Sequence, residues 1–173
     1  MPISKEILET FPNKAFIETG THRGDGVQAA LDANCFKVIY SVELLPYGQG
    51  WCAHRFWDLR DRVWLFGGDS REFLKQILPK ITSPCTFWLD AHCCEGDVED
   101  YKKAPLMGEL KQIYEHSINT HTILIDDVRI MGTPHLDVSL DRVTRALRAI
   151  NNDYIIDRID SVDFPDDILV AHF

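Results

Sequence analysis

The sequence predicts an α/β fold: a single three-layer domain whose mostly parallel, seven-stranded sheet lies between helices and carries an antiparallel C-terminal strand. Three observations carry this expectation. Short apolar runs bounded by turn residues alternate with stretches whose apolar residues recur every three or four positions, the pattern of successive βα units. The last two runs are separated only by residues 157–167, too short a link for a crossover helix, so the final strand turns back on its neighbour. The 173-residue length and 45% apolar content suit one core, and residues 1–173 read as one domain without internal repeat or linker.

In chain order, residues 1–10 predict a short leading helix with Ile3, Ile7 and Leu8, followed by a strand at 15–17. A helix is expected over 24–34, where Val27, Ala30 and Leu31 share a face, and a strand over 37–42. Pro46, Gly48 and Gly50 interrupt the next stretch, so its helix is expected to start late, over 51–57. A strand at 62–66 leads to a capped helix at 70–78 with Phe73, Ile77 and Leu78, then a strand at 86–89. Pro105 fits the first turn of a helix running to about Glu115, with Leu106, Leu110 and Ile113 on one face. After a strand at 122–125, Leu140, Val143, Leu147 and Ile150 mark a helix over 138–150, and strands at 154–156 and 168–172 close the chain.

The formal net charge of -9 repels polyanions, and Arg55, Arg60, Arg62 and Arg71 are interleaved with Asp58, Asp61, Asp69 and Glu72, so no nucleic-acid partner is expected. No window approaches the roughly 20 apolar residues of a membrane span, and no secretory leader opens the chain. A soluble, cytoplasmic protein without a membrane partner is the expectation. Five irregularly spaced cysteines do not form a secreted disulfide framework, and Cys93 and Cys94 beside His92 lack the second ligand pair that structural zinc needs.

The chemistry gathers at the strand ends, where open parallel sheets bind their ligands. Glu18 follows the first run, Glu43 the second, Gly67-Gly68-Asp69-Ser70 the third, Asp90-Ala91-His92 the fourth and Asp126-Asp127 the fifth. Converging carboxylates repel one another unless hydroxyls, a cationic ligand or a metal compensates them. The first turn, Glu18-Thr19-Gly20-Thr21-His22-Arg23-Gly24, combines an acid with glycines suited to close backbone approach. An acid there disfavours the bare diphosphate-accepting turn of a dinucleotide site and suits the amino group of S-adenosylmethionine (SAM).

With these residues in place, the chain resembles class I (Rossmann-like) SAM-dependent methyltransferases over nearly its whole length. The resemblance implies that Glu18, Thr19, Gly20, Thr21 and Gly24 contact the methionine part of SAM. It implies that Glu43 accepts both ribose hydroxyls and that Asp69 and Ser70 hold adenine. The segments Phe87-Trp88-Leu89-Asp90-Ala91-His92 and Ile123-Leu124-Ile125-Asp126-Asp127 resemble the paired motifs of cation-dependent O-methyltransferases. That likeness implies Mg²⁺ held by Asp90, Asp126 and Asp127, with Asp90 also beside the cofactor. Those enzymes often keep a lysine where this chain has Cys93, and His92 is the expected general base, acting with Asp90 in catalysis.

The loops at 93–104 and 128–137 are expected to bind a small hydroxylated acceptor such as a sugar or secondary metabolite. A SAM-binding sensor or partner subunit without transfer activity is the second reading. An NAD-dependent oxidoreductase is the third, although the chain lacks G-x-G-x-x-G.

Overall fold

Phe16 and Ile17 show how the core is divided. Neighbouring side chains of an extended strand leave on opposite faces, and these two enter different apolar clusters. Phe16 joins Val27, Ala30, Ile39, Cys52, Phe56, Trp88 and Leu124. Ile17 joins Phe73, Leu74, Phe87, Leu110, Ile123, Val143 and Leu147. The sheet is therefore buried on both sides, which is why its central strands read as continuous apolar runs.

The computed structural model describes residues 3–91 and 104–173. The elements are α1 (Lys5–Thr10), β1 (Ala15–Thr19), α2 (Asp25–Ala33), β2 (Val38–Glu43), α3 (Pro46–Arg55), β3 (Val63–Gly67) and α4 (Ser70–Ile77). They continue with β4 (Cys85–Leu89), α5 (Leu106–Tyr114), β5 (Thr122–Ile125), α6 (Leu140–Ile150), β6 (Ile155–Ile159) and β7 (Ile168–His172). The strand order is β3-β2-β1-β4-β5-β7-β6. Strands β1 to β5 pair in parallel, and β7 runs antiparallel between β5 and β6. Residues of α1, α2 and α3 pack on one face, those of α4, α5 and α6 on the other.

This order positions the site. The chain moves outward from β1 to β2 and β3, then returns to place β4 on the other side of β1. In such open sheets the ligand binds beyond the carboxyl ends of the strands at this reversal of order.

Two expectations need correction. The third helix begins at Pro46, not near Trp51, because proline is pre-set for a first helical turn. Gly48 serves packing: a Cβ there would lie 3.0 Å from both Glu43 Cγ and the His22 carbonyl oxygen, so its absence lets α3 press against the end of β2. The first strand also runs two residues beyond Ile17, which puts Glu18 inside β1. Among the described residues, no helix is long and apolar enough to cross a membrane.

Candidate functional site

Strand parity decides where each acid points. Glu18 shares the face of Phe16, directed at α2, and only 2% of it is exposed. A Cβ on Gly26 would collide with its Oε1, so glycine in α2 makes room for the carboxyl group. Ser41 donates to Glu18 Oε2, and Thr21 Oγ1 lies 2.5 Å from Ser41 Oγ, forming a buried relay of hydroxyls to the carboxyl. Burial pushes the Glu18 carboxyl up to about 8; the Ser41 hydrogen bond opposes the rise, and the carboxylates of Asp90, Glu43 and Asp25 add to it. Glu18 thus lies beneath the turn that it introduces.

The turn itself is tightly built. Gly20 (φ +89°) and Gly24 (φ +79°) adopt positive φ, and the Gly20 and Thr21 amides donate to the Val42 carbonyl at 3.0 and 3.1 Å. Glu43, at the end of β2, accepts from the His22 amide at 2.6 Å and the Leu45 amide at 2.8 Å. It borders a cavity of about 170 Å³ whose wall includes Thr21, Gln49, Cys52, Leu65, Phe66 and Gly67. Burial pushes the Cys52 thiol in this wall up to about 11.

Asp69 caps α4 by accepting from the Arg71 amide at 2.8 Å, and the Arg71 side chain binds both of its carboxylate oxygens. The hydrogen bond from Arg71 holds its carboxyl below the usual range. Ser70 is buried at the start of α4, with an unpartnered hydroxyl. Thr19 leaves β1 on the same side as Ile17, and its buried hydroxyl is unpartnered as well.

Next to them lies an acid that is not among the strand-end residues. Glu109, in the first turn of α5, is 1% exposed, and its Oε1 has no hydrogen-bond partner among the described residues. Burial pushes its carboxyl up to about 7 against the opposing influence of the Ser70 and Thr19 hydroxyls. Its signal is present in the sequence: position 109 falls within the stripe of Leu106, Leu110 and Ile113 that faces the core.

Asp90, Asp126 and Asp127 meet at the ends of β4 and β5. Each offers an oxygen within 4.8 Å of the others. Asp126 Oδ1 accepts from the Asp127 amide at 2.8 Å, while its buried Oδ2 has no hydrogen-bond partner among the described residues. Burial, then the carboxylates of Asp90 and Asp127, pushes the Asp126 carboxyl up to about 7. Asp127 adopts φ +64° and pairs with Arg129, which also binds the buried Asp167 before β7. Asp90, Glu109 and Asp126 border a small cavity of about 10 Å³, whose other walls include Leu89, Leu106, Ile125 and Leu136.

Of the residues singled out from sequence, Thr21 and Glu43 border the larger cavity on one side of the Gly20 turn, and Asp90 and Asp126 border the smaller one on the other. Asp69 is engaged by Arg71 and Glu18 is turned towards α2. His92, Cys93 and the loop to Lys103 lie outside the described residues.

No family model and no curated protein matches the sequence. Solved structures match the fold. An O-methyltransferase from Bacillus cereus in complex with S-adenosylhomocysteine (SAH) shares 14% identity over 96% of this chain and 77% of that one, with a TM-score of 0.63. The O-methyltransferase TomG from Streptomyces achromogenes, in complex with SAM, shares 16% over 97% and 76%, with a TM-score of 0.56. The methyltransferase domain of bacterial CtHen1-C shares 14% over 96% and 92%, with a TM-score of 0.61. The chain accordingly shares the Rossmann-like fold of these methyltransferase structures.

Proposed function

We propose that this chain is a SAM-dependent methyltransferase that acts on a hydroxyl of a small molecule, a sugar or secondary metabolite, assisted by a divalent cation at Asp90, Asp126 and Asp127. One observation carries the reading: acids flank the Gly20 turn on both sides, Glu43 beside a cavity of about 170 Å³ and Asp126 with a buried, unpartnered oxygen. The O-methyltransferase neighbours support oxygen as the accepting atom.

The residues fit both groups. A carboxylate has about four acceptor positions, so Glu43 retains capacity for two ribose hydroxyls after accepting the His22 and Leu45 amides. The glycine turn brings backbone, not side chain, to the ligand. On the other side, a set of carboxylate oxygens suits a hard cation such as Mg²⁺, and a buried acid crowded by two others needs positive charge or a proton.

SAM supplies an electrophilic methyl group, and a bound divalent ion lowers the acceptor hydroxyl's pKa. The chain's own part is to hold and orient. Glu43 fixes the nucleoside, and Asp90 and Asp126 hold the acceptor side. Leu89, Leu106, Ile125 and Leu136 wall the small cavity beside these two acids. His92, two positions after Asp90 in the sequence, is the proposed acceptor of the released proton.

The test is a thermal-shift matrix of SAM, SAH and NAD, each with and without Mg²⁺, followed by transfer from labelled SAM to a panel of hydroxylated acceptors. SAM and SAH should raise the melting temperature and NAD should not. Stabilisation by NAD alone overturns the proposal. Stabilisation by SAM without transfer to any acceptor favours a non-catalytic SAM-binding protein, and full transfer in EDTA removes the cation from the mechanism.

A further inference from the structure

We propose that Arg129 is a built-in counter-cation of the acidic cluster, sharing Asp127 with the cation site and thereby setting how tightly that site binds a divalent ion. This rests on the divalent-cation part of the function proposed above. Three carboxylates within 4.8 Å of one another form a costly arrangement. Asp126, 4% exposed, adds an Oδ2 without a hydrogen-bond partner among the described residues. Arg129 brings a fixed positive charge against this group: its Nη1 lies 2.5 Å from Asp127 Oδ1.

The guanidinium is held in place from the other side. Asp167 is fully buried and pairs with the same Nη1, while its Oδ1 accepts the Arg129 amide at 2.9 Å. The Val128 amide donates to the Asp167 carbonyl at 2.9 Å, and the guanidinium lies 4.2 Å from the centre of the Phe164 ring. Arginine does not lose its proton in proteins, so this charge persists at every working pH. A divalent ion entering the cluster consequently competes with Arg129 for the charge of Asp127.

The sign of one measurement separates this role from simple scaffolding. Removing the guanidinium should leave the cluster more negative, so that the unloaded chain is less stable and Mg²⁺ binds more tightly. A scaffold alone would lose stability without gaining affinity. The full chain is titrated with MgCl₂ by calorimetry and melted with and without it, for the wild type, Arg129→Gln, Arg129→Lys and, as a control that weakens the site, Asp126→Asn.

Arg129→Gln should bind Mg²⁺ at least about fivefold tighter and recover with MgCl₂ part of the melting temperature lost without it. Arg129→Lys, which keeps the charge, should stay within about twofold of wild type. Equal or weaker Mg²⁺ binding by Arg129→Gln, with the wild type binding normally, overturns the proposal alone. A wild type that does not respond to MgCl₂ overturns both this role and the divalent-cation reading. If Arg129→Gln does not fold in either condition, Arg129→Met decides: it removes the charge but keeps an apolar side chain against Phe164, and should bind Mg²⁺ at least about fivefold tighter; unchanged affinity overturns the proposal.

Discussion

A side chain on Gly20 would run into the backbone carbonyl of Asp90. Thr19 and Leu89 are paired across β1 and β4, so the residues that follow them meet where the sheet changes winding direction. The Gly20 turn and the acidic cluster therefore share a backbone contact. Gly20→Ala adds this collision to the strain of a side chain at φ +89° and is expected to cost about 2–4 kcal/mol of unfolding free energy. It should also weaken Mg²⁺ binding, because Asp90 must move. Denaturant unfolding and a Mg²⁺ titration check this; wild-type values in both would show that the contact relaxes without displacing Asp90.

Glu43→Gln keeps the shape of the side chain and removes its charge. Of the two oxygens now receiving amides from His22 and Leu45, one becomes an NH₂ group facing a donor. Hydrogen bonds to charged acceptors contribute about 1.5–3 kcal/mol, so SAM affinity should fall roughly 10- to 100-fold. Calorimetric titration with SAM and SAH measures it. An unchanged dissociation constant in a folded variant would remove Glu43 from the nucleoside site.

The strands and their terminal acids were legible because an apolar run that ends in a carboxylate is a local pattern. The missing parts were not local. Gly48 permits the early start of α3 only because β2 and the His22 turn lie against it. Glu18 was legible as a residue but not in its direction, which follows from β1 continuing to Thr19 and from a glycine in α2. Asp69 was correctly placed after β3, yet Arg71, two positions later, claims its carboxylate. Arg129 and Asp167 are 38 positions apart, and nothing in either neighbourhood announces that they pair. Glu109 is the exception, since an acid inside an apolar helical stripe stands out from the spacing of residues alone.

His121 predicts a loss of stability on mild acidification. Its Nδ1 accepts the Cys85 amide at 3.0 Å, and burial, then the neighbouring His116, lowers its pKa to about 4. The folded state keeps this imidazole neutral, whereas the unfolded chain protonates it below about 6.5. Its contribution is present above pH 6.5 and is lost as pH falls towards 4, a span worth roughly 3 kcal/mol. Stability curves for wild type and His121→Gln over this window should differ in slope, with the variant flatter. Parallel curves would mean that His121 titrates normally.

Glu109 imposes the opposite slope. Its carboxyl is pushed up to about 7 in the fold, while the unfolded chain ionises it near 4.5. Below pH 4.5 both states hold the proton and the residue costs nothing. As pH rises through 4.5 to 7 the unfolded state releases the proton first, so the fold loses up to roughly 3 kcal/mol, a deficit that then stays constant. Glu109→Gln mimics the protonated form at all pH values. It should match wild type near pH 4.5 and exceed it in melting temperature at pH 8. Melting curves across pH 4.5–8 measure the gap. A gap that fails to widen with pH would show that the carboxyl is ionised in the fold and is held there by a partner; an unchanged response to SAM and MgCl₂ in the same variant would confine its role to stability.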